Sequence, residues 1–265
     1  MSLRLDVSGG VARLLIDRAD KRNAFNLAMW EALPDLLAEA LATPDVRALE
    51  LTSADPDATF SAGADIGEML AYRDDPQWLA RKQAAINRAQ FELTRAPIPT
   101  VAFVNGDCIG GGCGLAMACD LRVAAPDARF GVTPARLGLV YPLHDVKLLT
   151  DLVGPGHAKR LLYTGALIEA EEAQRIGLVE SVEASSAPTL DAILASSPYS
   201  QGAAKAFVRR VLDGQSEDDA ETLDIFAKAF AGADFTEGAQ AFLEKRKPQF
   251  GTWPSRQSAS PTPSE

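Results

Sequence analysis

The chain has 265 residues, of which 47% are hydrophobic and 23% charged, and its formal net charge is −10. This length and composition are typical of a globular protein with one large core, or of one domain with a helical appendage. The negative charge argues against general nucleic-acid binding, which needs many cationic contacts with phosphate, and no apolar run approaches the roughly 18 residues of a membrane span.

The first predicted element is a β-hairpin, because residues 3–7 and 11–16 alternate in polarity around Ser8-Gly-Gly10. An amphipathic helix is then expected to open at Asn26. The apolar residues at helical spacing are Leu27, Trp30, Leu33, Leu36, Leu37, Ala40 and Leu41. The pattern therefore favours a core position for Trp30 over a ligand contact.

Residues 46–52 are predicted to form a strand, and residues 59–70 lead through a small-residue turn into a helix. Asp65 is expected to stabilise the start of that helix. Glu68 fits the same role, and it also fits a place in the wall of a substrate pocket. Residues 74–93 have a second helical pattern, with many charges.

A glycine run follows the predicted strand 99–104 and precedes a helix of small residues. Gly110, Gly111 and Gly112 fall at the N-terminal end of that helix, where free N–H groups can hold a partial negative charge. A tight turn explains the run equally well. The turn at residues 59–70 favours an anion site over a simple turn, because it offers a second N–H donor and an oxyanion hole needs two that converge.

Two motifs together resemble the crotonase superfamily, also called the enoyl-CoA hydratase/isomerase family. They are Phe60-Ser-Ala-Gly-Ala-Asp65 and the stretch from Asn105 to Gly112. The resemblance implies an α/β, crotonase-like (ClpP/crotonase) spiral of repeated ββα units over residues 1–195. It further implies a helical trimerisation region over residues 196–251 and a homotrimer or hexamer, a dimer of trimers. The Ser/Pro-rich residues 252–265 are expected to be disordered.

The same resemblance implies acyl-CoA thioester substrates whose enolate is held by the amides of Ala64 and Gly111. The expected contacts with the CoA moiety are Arg18, Lys21, Arg22, Ala24, Ala62, Phe242 and Lys245. A local cationic patch can reverse the field of an acidic protein. The alternative is that these cations are solvated surface. CoA is part of the substrate, and no separate cofactor is expected.

Two positions depart from the pattern of common hydratases. The two expected glutamates are replaced by Gly114 and Pro134, which have no proton to give or take. Three hypotheses remain open at this point: hydration through another group, decarboxylation of a small malonyl-type CoA ester, and acyl-CoA binding without catalysis. The stretch from Thr133 to Tyr141 resembles the branch that contains methylmalonyl-CoA decarboxylase, where a tyrosine lies beside the reacting carboxylate.

The candidate proton-transfer residues are Tyr141, His144, Asp145 and Glu68. Tyr141 fits equally well as a packed side chain with a capped hydroxyl. His144 and Asp145 fit structural or surface roles as well.

Cysteine and histidine usage predicts neither disulfides nor a metal site. Cys108, Cys113 and Cys119 have no CxxC spacing and are expected to be buried thiols. Only two histidines are present, His144 and His157. The N-terminal residues 1–4 lack the apolar block of a secretory signal, so we expect a cytoplasmic protein without membrane partners.

Overall fold

The computed structural model describes residues 2–251. Its strands are β1 Leu3–Ser8, β2 Val11–Ile16, β3 Ala48–Ser53, β4 Thr100–Val104, β5 Asp107–Ile109, β6 Leu121–Ala124, β7 Arg129–Gly131, β8 Leu167–Glu169 and β9 Ser181–Val182. Its helices are α1 Leu27–Ala42, α2 Ile66–Ala71, α3 Pro76–Thr94, α4 Gly111–Met117, α5 Leu143–Thr164, α6 Ala170–Arg175, α7 Ala187–Leu194, α8 Pro198–Leu212, α9 Ala220–Ala231 and α10 Ala233–Glu244. The predicted disorder of residues 252–265 lies outside the described residues.

Two sheets organise the first part of the chain. The larger sheet has the order β1-β2-β3-β4-β6-β9, and the smaller has the order β5-β7-β8. β1 and β2 form the predicted antiparallel hairpin, whereas β2, β3, β4, β6 and β9 pair in parallel. Parallel neighbours require crossover connections, and helices α1 to α3 supply them between β2 and β4. The expectation of a mixed α/β fold is therefore confirmed.

Helix α1 begins where the sequence predicts. The Asn26 side chain accepts a hydrogen bond from the amide of Met29, which satisfies one of the free donors of the first turn. Trp30 is buried with 1% of its surface exposed. Phe25 contacts its ring at a centroid distance of 4.7 Å. The predicted burial of Trp30 is confirmed.

Helix α5 contains a break. Gly154 has φ 70° and ψ 166°, values outside the helical region, and Pro155 follows it. Only glycine adopts such a positive φ without strain. The break divides α5 into two helical stretches, the first of which packs against α4.

The chain divides into two compact units after Ile193. The second unit contains α8, α9 and α10 among its described residues. Asp219 begins α9 with a capping box that involves Thr222, and Tyr199 donates a hydrogen bond to the carbonyl of Ile225 (2.7 Å). The role of this unit in trimerisation stays a prediction.

Three smaller features belong to the described part of the chain. All three cysteines are buried and free. Asp120 accepts a hydrogen bond from the amide of Thr100 (2.8 Å). No helix within residues 2–251 combines the length and apolar character needed to cross a membrane.

Candidate active site

Two backbone segments lie side by side at the start of α4. The amide of Ser61 donates to the carbonyl of Asp107 (3.0 Å), and the amide of Ile109 donates to the carbonyl of Ser61 (2.9 Å). Gly63 has φ 91°, and a Cβ on it would lie 2.7 Å from the carbonyl oxygen of Ile109. Glycine at position 63 therefore permits an approach that any side chain would block.

This pairing brings together the amides of Ala64 and Gly111. A Cβ built on Gly111 would lie 3.8 Å from the Ala64 nitrogen, and one built on Gly63 would lie 3.2 Å from the Gly111 nitrogen. Among the hydrogen bonds of residues 2–251, neither amide has an acceptor. Gly111 is the first residue of α4, where helical N–H groups have no partner within the helix.

Both residues line a cavity of about 290 Å³. The helix α3 contributes one face, with residues at helical spacing: Leu79, Lys82, Gln83, Ile86 and Gln90. The remaining lining residues are Trp30, Ala62, Gly63, Ala64, Ile66, Met69, Gly110, Gly111, Thr133, Pro134, Leu137, Leu139, Val140, Tyr141, Pro142 and Asp145. Most of this surface is apolar, as in many small-molecule sites.

Asp145 fills the space that a side chain at position 114 would take. A Cβ on Gly114 would overlap Asp145 Oδ1 and would lie 2.6 Å from Gln90 Nε2. The two residues come from different helices, α4 and α5. A carboxylate is therefore present where the resemblance expects a glutamate, although position 114 itself is a glycine. Pro134, the other replaced position, lines the same cavity.

The surroundings of Asp145 favour its protonated form. The residue is buried, with 2% of its surface exposed. This burial raises the pKa of Asp145 to about 6, while a hydrogen bond from Gln90 Nε2 (2.7 Å) acts in the opposite direction. Gln90 Oε1 is buried and has no hydrogen-bond partner in the described residues. The cavity wall thus combines the Asp145 carboxylate, whose pKa is raised to about 6, with the unpaired acceptor Gln90 Oε1.

Tyr141 lines the cavity, but its hydroxyl is already engaged. It donates a hydrogen bond to the carbonyl of Gly110 (2.9 Å). Burial raises the pKa of Tyr141 well above its usual value. Of the two interpretations that the sequence allows, the structure supports the packed side chain with a capped hydroxyl. This contact also steadies the residue that precedes the Gly111 amide.

Two of the candidate proton-transfer residues, Glu68 and His144, are not among the residues that line the cavity. The Glu68 carboxylate accepts a hydrogen bond from the amide of Leu27 (2.9 Å), at the start of α1. It therefore stabilises a helix terminus, where negative charge is favourable. Asp65 does the same for α2 by accepting from the amide of Glu68 (3.1 Å), as predicted.

Sequence reasoning missed several polar residues of the cavity, among them Lys82, Gln90 and the indole of Trp30. Trp30 Nε1 is buried and has no hydrogen-bond partner in the described residues, and a Cβ on Gly111 would lie 3.6 Å from Trp30 Cζ2. Lys82 and Gln90 belong to the charged helical stretch predicted over residues 74–93. Their spacing of eight residues places them on one helical face, which is the only signal that the sequence carries for their shared location.

The expected CoA contacts of the first unit occupy varied positions. Arg18 pairs with Asp65 (2.8 Å) and donates to the carbonyl of Ala24 (2.7 Å). Lys21 and Arg22 are exposed, and Arg22 pairs with Asp107 (2.9 Å). Ala62 lines the cavity.

The expected contacts of the second unit are both exposed. Phe242 has 83% of its surface exposed. Lys245 ends α10 with a left-handed conformation, φ 54°. The assignment of both groups of residues to CoA binding stays a prediction.

The chain is similar to known proteins over almost its whole length. Residues 6–253 match the family model described as enoyl-CoA hydratase/isomerase. A crotonyl-CoA hydratase from Syntrophomonas wolfei is 37% identical, with 91% of this chain and 94% of the relative covered. A short-chain-enoyl-CoA hydratase from Clostridium acetobutylicum is 33% identical, with 92% and 95% covered.

Solved structures agree with these relatives. The enoyl-CoA hydratase from Bacillus anthracis superimposes with a TM-score of 0.84 at 29% identity, covering 94% of this chain and 99% of that chain. The fold is therefore crotonase-like, as the resemblance implies. The chain belongs to the enoyl-CoA hydratase/isomerase family.

Proposed function

We propose that this protein is a hydratase-type lyase that adds water to the double bond of an enoyl-CoA thioester, with Asp145 as its proton-transfer group. The observation that carries the proposal is the burial of the Asp145 carboxylate in the space of the missing side chain at Gly114. The same cavity contains the unpaired amides of Ala64 and Gly111. Relatives named as enoyl-CoA hydratases support the substrate class.

The proposed reaction uses one carboxylate twice. Ionised Asp145 accepts a proton from water as the water oxygen bonds to the β-carbon of the substrate. The electron pair of the double bond moves to the thioester oxygen, and the amides of Ala64 and Gly111 stabilise that enolate. Asp145 then returns the proton to the α-carbon. A pKa of about 6 suits both steps near neutral pH.

Gln90 orients the carboxylate in this scheme. It donates from Nε2 to Asp145 Oδ1 (2.7 Å), and its unpaired Oε1 can accept a hydrogen bond from the attacking water. The indole of Trp30 beside Gly111 adds an unpaired donor to the same wall.

The test is incubation with crotonyl-CoA, with products followed by mass spectrometry. We expect a gain of one water, and we expect Asp145→Asn to lower kcat/KM by a factor of about 10²–10⁴. The kcat/KM of the wild type should fall with acidification, with a midpoint near the Asp145 pKa of about 6. Full activity in a folded Asp145→Asn variant would contradict the assignment.

A second candidate reaction is the shift of a double bond from the 3,4 to the 2,3 position. Asp145 is the one carboxylate among the residues that line the described cavity. This observation favours the double-bond shift, because an allylic proton shift needs one base that accepts and returns the same proton. Incubation with 3-hexenoyl-CoA tests it through the absorbance of the conjugated product. Isomerisation without hydration of crotonyl-CoA would favour this reaction.

Decarboxylation loses its specific support, because the Tyr141 hydroxyl donates to the Gly110 carbonyl instead of remaining available to a substrate carboxylate. We expect no loss of carbon dioxide from methylmalonyl-CoA. Binding of CoA thioesters without conversion of any of the three substrates would favour a non-catalytic role.

A further inference from the structure

One cation lies in the wall of the cavity. Lys82 is buried, with 7% of its surface exposed, and it belongs to the face of α3 that lines the site. Desolvation lowers the pKa of Lys82, while the carboxylates of Glu68 and Asp65 act in the opposite direction. An ammonium withdrawn from bulk water in this way loses part of its hydration, which an anion or a hydrogen-bond acceptor would replace.

The neighbouring carboxylates have closer partners of their own. Asp65 pairs with Arg18 (2.8 Å), and Glu68 accepts from the amide of Leu27 (2.9 Å). Within residues 2–251, Lys82 Nζ has no hydrogen bond and no carboxylate at ion-pair distance; its recorded contact is with the ring of Trp78, 5.0 Å from the centroid. The ammonium therefore retains N–H donors that the protein does not use.

Lys82 is also separated along α3 from the residue that holds the proposed proton-transfer group. Gln90, which holds Asp145, follows it by eight residues on the same helical face. At 1.5 Å per residue the two backbone positions are about 12 Å apart along α3. Lys82 and the residue that holds Asp145 thus border different stretches of the cavity wall.

From this arrangement we infer that the preferred acyl group carries a carboxylate at its far end, and that Lys82 binds this carboxylate. The inference rests on the proposed function, because it places the thioester of the same substrate beside the amides of Ala64 and Gly111. The CoA phosphates are an alternative source of negative charge, but they are present in every acyl-CoA. Only a terminal carboxylate distinguishes one acyl group from another.

The test is equilibrium binding of saturated thioesters, which does not depend on catalysis. Glutaryl-, adipyl- and suberyl-CoA are compared with pentanoyl-, hexanoyl- and octanoyl-CoA, the uncharged acyl groups of equal carbon number. We expect at least one dicarboxylic thioester to bind more tightly than its partner. We expect Lys82→Met to weaken binding of that dicarboxylic thioester by about 30-fold or more, the range for truncating one member of a buried charge pair, and to leave the uncharged partner within about threefold.

Lys147→Met is the matched control, since it removes a positive charge that pairs with Asp151 and is not among the cavity-lining residues. It should not change either series. Lys82→Gln serves as a second variant if Lys82→Met does not fold. Equal binding of both series to the wild type would overturn the inference without using any variant.

The inference would also be overturned if Lys82→Met weakened binding of the dicarboxylic and the uncharged thioesters equally. Lys82 would then serve to balance the charges of Asp65 and Glu68. Failure of the proposed function has a different signature. In that case the binding preference for dicarboxylic thioesters persists, but crotonyl-CoA and the unsaturated dicarboxylic thioester glutaconyl-CoA are not hydrated.

Discussion

The carboxylate of Asp145 fills the space that a side chain at position 114 would occupy. A Cβ at position 114 would overlap Asp145 Oδ1 and would lie 2.6 Å from Gln90 Nε2. A carboxylate supplied by α5 therefore excludes any side chain on α4 at this point. The relationship makes the two positions mutually dependent, and it can be tested by changing them separately and together.

Gly114→Ala should destabilise the protein although alanine is the better helix former. The gain in helix propensity is about 1 kcal/mol, whereas the added methyl displaces a buried carboxylate and its hydrogen bond with Gln90. Overpacking of this kind costs about 1–3 kcal/mol, so we expect a net loss. The measurement is the free energy of unfolding in urea.

The double variant Gly114→Ala with Asp145→Gly is the control for this prediction. The overlap is absent in the Asp145→Gly background, so Gly114→Ala should cost little stability when it is added to Asp145→Gly. A cost of Gly114→Ala that is the same in both backgrounds would show that the clash is not with Asp145.

Asp145→Asn should stabilise the protein at alkaline pH. Because the folded-state pKa of about 6 exceeds the usual 3.8, ionisation of Asp145 costs stability; this cost builds up between about pH 4 and pH 6 and stays constant above that range. The difference corresponds to an upper bound of about 3 kcal/mol. Gln90 can adapt to asparagine, since its unpaired Oε1 can accept from the new amide.

We therefore expect Asp145→Asn to exceed the wild type in stability at about pH 8, and the difference to vanish below about pH 4, where both side chains are neutral. Thermal unfolding across this range provides the measurement. A difference that does not change with pH would contradict the raised pKa.

Ala64→Pro should reduce turnover while the fold persists. Proline removes an N–H that has no acceptor within the described residues, so no structural hydrogen bond is lost. Loss of one donor from an oxyanion hole costs about 10²–10³ in kcat. The measurement is kcat with crotonyl-CoA, alongside the unfolding temperature.

Ala62→Pro is the comparison, because the amide of Ala62 donates to the carbonyl of Arg22 (2.9 Å). This second variant should lose stability through the broken hydrogen bond. Normal kcat in a folded Ala64→Pro variant would remove the Ala64 amide from the proposed mechanism.

Tyr141→Phe should retain activity within about tenfold and lose about 1 kcal/mol of stability, the usual net value of one hydrogen bond. The hydroxyl donates to the carbonyl of Gly110, which also accepts from the amide of Gly114 (3.2 Å), so this carbonyl keeps a partner. Steady-state kinetics with crotonyl-CoA checks the first part. Complete loss of activity in a stable variant would show that the hydroxyl takes part in the reaction.

Local signals predicted much of the fold. The hairpin β1-β2, the capped start of α1 and the glycine run before α4 each depend on residues that are close in the sequence. The position of Trp30 was predicted only in part: it is buried as expected, and it also lines the cavity. Periodicity identifies the buried face of a helix but not the small part of that face that borders an empty space.

The polar part of the site was harder to predict because its members come from separate elements. Asp145 lies 31 positions after Gly114 in the sequence, and only the packing of α5 on α4 brings them together. Lys82 follows Arg81, whose side chain pairs with Glu31 and is largely exposed. Of these two neighbouring basic residues, Arg81 faces solvent and Lys82 faces the cavity. Composition alone does not show which of the two lies in the site.

The origin of the Asp145 carboxylate on α5 has a consequence for how precisely the reaction can be aligned. The Gly111 amide moves with α4, whereas the proposed base moves with α5, so their spacing is set by the contact between two helices. A small sliding of one helix past the other would change the reach of the carboxylate to the substrate, and misplacements of about 1 Å are enough to slow catalysis markedly. The packing of α5 against α4 therefore sets the distance between the proposed base and the Gly111 amide.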